Sequence, residues 1–150
     1  MDANEFQKLF SELTHIKQNP YHPLVWILGE PQIGQDVFIG GLTEIYAKGA
    51  KVVIGDRCDI GSFVTINCSD SHKKRVGLLD DVERKDITIE HDVFIGSHVV
   101  VKGGAHLGHH CVVAAGTIVD AGSYPPYSLI HGNPTKVKKA YYSRKLHRKK

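Results

Sequence analysis

Residues 89–124 read IEHDVF IGSHVV VKGGAH LGHHCV VAAGTI VDAGSY, six consecutive units of six residues. Each unit opens on an aliphatic residue: Ile89, Ile95, Val101, Leu107, Val113 and Val119. Four places on, each carries a small or β-branched residue: Val93, Val99, Ala105, Cys111, Thr117 and Ser123. Glycine follows the aliphatic residue at Gly96 and Gly108. A six-residue phase kept this long is a repeat architecture, because the period-two alternation of ordinary strands would not hold it. One hexad makes one flat face of a coil, its aliphatic and i+4 side chains pointing inward. Three hexads close a triangular turn, and only stacked turns bury a continuous apolar column. The expected fold class is all-β, a parallel β-helix.

The same template extends backward. Hexads begin at Ile27 or Ile33 and run through Ile39 and Ile45, with Val37, Thr43 and Gly49 in the small position. Ile45 is then followed by Ile54, Ile60 and Ile66, a slip of three residues that places a bulge or corner loop within 44–53. Residues 72–86, HKKRVGLLDDVERKD, carry no hexad at all. So long an excursion from a rigid coil is where binding residues are expected. Ahead of the coil, residues 2–19 read as a helix with Phe6, Leu9, Phe10, Leu13 and Ile16 on one face. Asp2 and Glu5 have capping-box spacing, Asn19-Pro20 closes the segment, and the helix is expected to lid the open end of the coil. The chain is expected to be a single domain over 1–150: helix 2–19, coil 27–124 with its loop 72–86, and a C-terminal extension 125–150.

Composition narrows the class. Hydrophobic residues make up 41% and charged residues 23%, ordinary for a globular domain. No apolar run reaches the length of a membrane span, and the polar start does not read as a signal peptide. Three cysteines cannot all pair, and Cys58 and Cys111 fall on inward i+4 positions, so reduced core thiols and a cytoplasmic setting are expected. The tail from Thr135 holds eight of the 19 Lys+Arg, and no acid follows Asp120. It lacks a nucleic-acid recognition motif, while a short basic cluster suits the phosphates of a small molecule. No nucleic-acid partner is expected.

The stretches IGDRCDIGSFVTI, the loop opening at His72, ITIEHDVFIGSHVVV, VVAAGTIV and GNPTKVKK, in this order, resemble the hexapeptide-repeat acyltransferases of the galactoside and maltose acetyltransferase type. The resemblance covers over half of the chain. It implies a left-handed parallel β-helix, a homotrimer, acetyl-CoA as acyl donor, no metal, and a sugar or glycoconjugate acceptor. It implies His72 as general base and Ser97, Ala115, Gly116, Thr117, Lys136 and Lys139 as the donor-binding residues. Asn67 and Asp70 are then expected on the acceptor side. Four positions depart from the family pattern: Phe94 replaces a tryptophan, Asp120-Ala121 replaces a Thr-Lys pair, and Phe63 stands about where an acceptor-site asparagine is common.

The residues themselves support that chemistry. Acyl transfer from a thioester needs a deprotonated acceptor, and imidazole titrates in the useful range. His72 alone of ten histidines stands where the repeat breaks into the long loop. Asp70 and Glu83 are candidates to orient its ring. Cys68 is a conceivable nucleophile, although nothing in the sequence marks its thiol as activated. The rival reading is a metal site like that of the trimeric γ-class carbonic anhydrases, which share this fold and hold zinc with histidines from two subunits. His91 and His109 are 18 residues apart, one full turn, and should stack; yet the characteristic pair of that class lies five apart, whereas His106 and His110 are four apart. A catalytically silent scaffold leaves His72 and its loop unexplained.

Overall fold

The computed structural model describes residues 1–143. The solvated terminus expected at 144–150, with His147, lies outside them. Strands of two to four residues alternate with tight corners, and the chain closes on itself after every three strands. The first face stacks Trp26–Gly29, Glu44–Ala47, Thr65–Asn67, Val100–Lys102 and Ile118–Val119. The second stacks Gln32–Ile33, Val52–Ile54, Ile87–Ile89, Ala105–Leu107 and Gly122–Tyr124. The third stacks Phe38–Ile39, Asp59–Ile60, Phe94–Ile95, Val112–Val113 and Leu129–His131. All of these ladders are parallel, and the fold is a left-handed parallel β-helix.

The register shows why the sixfold phase matters. Ile39, Ile60, Ile95, Val113 and Ile130 form one inward column; Ile45, Ile66, Val101 and Val119 form a second, and Ile54, Ile89 and Leu107 a third. None of these side chains is more than 2% exposed. Each has an aliphatic neighbour one coil above or below, so each hexad contributes to a core that no hexad could form alone. Cys58 and Cys111 are fully buried among them as free thiols, and Cys68 is buried at 1%.

Two kinds of corner residue make the stacking close. Gly96 and Gly108 face the backbone of the next coil: a Cβ would lie 2.7 Å from the Ala115 nitrogen in one case and from the Pro126 nitrogen in the other. Those glycines provide clearance. Three residues after the inward side chain, Asp36, Arg57, Asp92, His110 and Tyr127 at the corner between the second and third faces adopt φ of 55–61°. A left-handed residue at every coil turns the chain through that corner.

Partner residues also locate the excursions. Ile27 pairs with Ile45, 18 positions on, but Ile45 pairs with Ile66 and Ile66 with Val101, 21 and 35 positions on. Both insertions leave at the same corner, between the first and second faces. Within the first, Gly49 is exposed at φ 81°, so it does not take the inward place expected of it; Ala47 and Val52 do. The last turn is short instead. Leu107 pairs with Tyr124, 17 positions on, so Tyr124 points inward with its hydroxyl donating to the Asp120 carbonyl (2.8 Å). Ser123, expected inward, is exposed. Coil structure continues past Tyr124 to Leu129–His131, against which Lys136–Lys138 pairs antiparallel.

Helix α1 spans Ala3–Thr14, with the Asp2 carboxylate accepting from the Glu5 amide and Glu5 from the Asp2 amide, both at 2.8 Å. It ends before residue 19 because His15 is left-handed (φ 59°) and returns its N–H to Ser11. Phe10 stacks on Trp26 at 5.9 Å, which seats the helix on the first face of the first coil. Leu13 points away, 73% exposed. No described helix is long and apolar enough to cross a membrane.

Candidate active site

The larger insertion, residues 68–86, is a built element. Ser69–Asp70 pairs antiparallel with Glu83–Arg84, and a one-turn helix, α2, spans His72–Arg75 at its far end. Its base is tied to the smaller insertion: the Ile87 amide donates to the Lys51 carbonyl (2.9 Å), and the Lys51 amide to the Asp86 carboxylate (2.8 Å). The Asn67 side-chain oxygen accepts from both the amide and the hydroxyl of Ser69, at 2.9 and 3.0 Å. Beneath the loop lies a cleft of about 390 Å³ that Asn67, Asp70, His72, Lys73, Lys102 and Asp120 help to line.

Asp70 and His72 form the cleft's central pair. One carboxylate oxygen of Asp70 accepts from the His72 amide at 3.0 Å and lies 2.6 Å from its Nδ1. The His72 amide and ring hold the Asp70 pKa below its ordinary value. An ionised carboxylate can only accept, so Nδ1 carries the proton and Nε2 of the neutral ring is left with its lone pair. The His72 side chain is 62% exposed and that of Asp70 48%, open to an incoming molecule. Of the two carboxylates suggested by the sequence, then, Asp70 meets the imidazole. Glu83 instead pairs with Lys73 (3.0 Å) and Lys85 (3.8 Å), which depress its pKa.

Cys68 lines the same cleft, but burial pushes its thiol above its ordinary value, which disfavours the thiolate a nucleophile needs. Lys102 was not singled out from the sequence. Its ammonium lies 2.8 Å from Asp120, which it holds ionised, and the Thr135 hydroxyl donates to the other oxygen at 3.1 Å. The two are 18 positions apart, so the one-turn spacing that pairs His91 with His109 would have found them had it been applied to charges.

Ser97, Ala115 and Gly116 come together elsewhere, at the corner between the third and first faces. The Gly116 amide donates to the Ser97 carbonyl at 2.9 Å, and space beside Gly116 is open. Thr117 is at this corner too, but its side chain is buried and its hydroxyl donates to the Ala114 carbonyl at 2.6 Å. Phe63 and His98 stack beside them at 4.8 Å. Lys136 and Lys139 are exposed at the end of the coil. From Ser97 to Gly103 the chain crosses the first face, about 20 Å at ~3.3 Å per residue. One chain therefore carries the His72 cleft and the Ser97 ridge on opposite edges of one face.

Three histidines, His91, His109 and His110, cluster at the corner between the second and third faces. His91 and His109 lie ring on ring at 5.0 Å and 4°. His106 meets Glu90 at 2.8 Å. Of the described residues, His91, Asp92 and His110 bring three metal-type donor atoms within 4.8 Å of one another.

A family model described as the hexapeptide repeat of succinyl-transferase matches residues 86–121. The galactoside O-acetyltransferase of Escherichia coli (strain K12) is 35% identical over 98 residues, 64% of this chain and 47% of that protein. The chain thus spans about half the length of that relative. A hexapeptide-repeat-containing acetyltransferase from Vibrio cholerae O1 biovar eltor, solved complexed with acetyl coenzyme A, has a TM-score of 0.70 at 28% identity, covering 93% of this chain and 78% of that one. A polySia-specific acetyltransferase has a TM-score of 0.63 at 27% identity over 77% of this chain and 60% of that one.

Proposed function

Starting from a chain that has the repeat and the fold of the hexapeptide-repeat acyltransferases, we propose that it transfers an acetyl group from acetyl-CoA to a hydroxyl or amino group of a sugar or glycoconjugate. The observation that carries this reading is the Asp70–His72 pair at the mouth of an open cleft. Nε2 of His72 takes the acceptor proton as the acceptor atom attacks the thioester carbonyl. A tetrahedral intermediate forms, the C–S bond breaks, and the imidazolium returns its proton to the departing thiolate. Asp70 keeps the ring in the productive tautomer and stabilises its charged form. Asn67 and Asp70 border the acceptor.

The donor is proposed to lie along the ridge of Ser97, Ala115 and Gly116, with Lys136 and Lys139 at its phosphates as point charges. Thr117 serves the ridge by holding the turn. Because cleft and ridge lie on opposite edges of one face, a complete site is proposed to combine the loop of one subunit with the ridge of the next, in a closed homotrimer. Three buried free thiols support a reducing, cytoplasmic setting.

His72→Ala is the test. Turnover on the best acceptor from a panel of sugars and amino sugars should fall by roughly 10²- to 10⁴-fold, with acetyl-CoA binding retained. Asp70→Asn should fall less, since the base remains. Near-normal turnover in His72→Ala would remove this residue as the base, and light scattering of a monomer would remove the shared site.

A further inference from the structure

The corner between the second and third faces, outside the His72 cleft, carries the one group of donor atoms in the described chain arranged as a metal site. We propose that His91, Asp92 and His110 bind one late first-row divalent ion, of the zinc, cobalt or nickel type, and clamp the third coil to the fourth. Ile89 and Leu107 are partners in the parallel ladder, so Asp92 and His110 occupy the same place on adjacent coils. Both are left-handed, φ 56° and 57°, so their side chains leave the corner alike. His91 adds a third donor from the same turn as Asp92, and the three donor atoms lie within 4.8 Å. Metal bonds of ~2.0–2.1 Å require donors about 3.3 Å apart in a tetrahedron, so small side-chain rotations close the site. Two imidazoles and a carboxylate suit this class of ion better than calcium or magnesium, which prefer all-oxygen shells.

The surroundings keep the donors close together before an ion arrives. The His91 ring is held flat against His109, and the His110 ring stacks on Tyr127 at 4.8 Å. Asp92 is gripped by Arg57, whose Nε and Nη2 each lie 2.9 Å from one carboxylate oxygen, and it meets the His91 Nδ1 at 2.7 Å. Arg57 is thus a cation already competing for the carboxylate. This competition separates a metal site from a stack of surface rings, because removing Arg57 should tighten the ion while weakening the coil-to-coil ion pair.

The experiment is titration of the metal-stripped, full-length protein with zinc(II) by calorimetry and with cobalt(II) by its visible absorption. One equivalent per chain should bind at micromolar concentration and raise the melting temperature. His91→Ala and His110→Ala should each weaken binding at least tenfold, and Arg57→Ala should strengthen it. Chelator treatment should leave acetyl transfer unchanged, so failure of this site and failure of the proposed activity read out separately. Binding that is absent below millimolar metal, that survives His91→Ala with His110→Ala, or that weakens in Arg57→Ala would each overturn the proposal.

Discussion

Replacing Gly96 with alanine tests the account of how the coil closes, and it does so beside the proposed donor ridge. Gly96 follows the buried Ile95, and its amide donates to the Val113 carbonyl at 2.9 Å. A Cβ built there lies 2.7 Å from the Ala115 nitrogen, 2.9 Å from its Cα and 3.1 Å from the Val113 oxygen. All three are backbone atoms, so no side chain can swing aside. Reaching ordinary contact at ~3.4 Å requires the fourth coil to move by about 0.7 Å against the ladder that holds it. Overpacking of this kind costs about 1–3 kcal/mol. For a domain of this size each kcal/mol is worth ~2–4 °C, so the melting temperature should drop by roughly 2–12 °C at fixed protein concentration. Gly116→Ala is the comparison. Its Cβ meets nothing within 4 Å, and its cost is only that of a left-handed φ of 74°, about 1 kcal/mol. Thermal and urea unfolding of the two variants side by side would decide. A Gly96→Ala loss no greater than that of Gly116→Ala would refute the clearance argument.

Three further outcomes are expected. Burial raises the thiols of Cys58, Cys68 and Cys111, so a disulfide-exchange reagent at neutral pH should label none in the native protein and all three after denaturation; fast labelling of Cys68 would revive it as a nucleophile. Asp92, Asp120 and Glu90 have depressed folded-state pKa values, through Arg57, Lys102 and His106 first in each case, so the stability they add is present above the unfolded carboxylate range near ~4 and is lost as pH falls below it. Melting temperature should therefore decline from about pH 4 downward, with a shallower slope in Asp92→Asn; an unchanged slope counts against the Arg57 pair. Lys136→Ala combined with Lys139→Ala should raise KM for acetyl-CoA several-fold and leave kcat near its starting value; an unchanged KM would move the phosphate contacts elsewhere.

Much of this architecture is written locally. The inward columns from Ile39 to Val119, the slip inside 44–53, the excursion opening at His72 and the stacking of His91 on His109 all follow from counting in sixes, because in a coil one turn is a fixed count and equal phase means equal direction. The Asp2–Glu5 cap is likewise local. Counting fails wherever a turn departs from 18 residues, since its length is set by contacts with the coils on either side. Tyr124 displaces Ser123 because the last turn is one residue short, and a hydroxyl bond to Asp120 satisfies it there. Only the folded chain shows that Asp70 rather than Glu83 holds His72, for that depends on the antiparallel pairing inside the loop, where lysines claim Glu83. Only the stack brings Arg57 to Asp92, 35 positions away in sequence, because the loop lengthens that turn while leaving the two residues on adjacent rungs. The repeat determines which way each side chain points; the insertions and the short last turn, settled by packing between coils, determine which side chains meet.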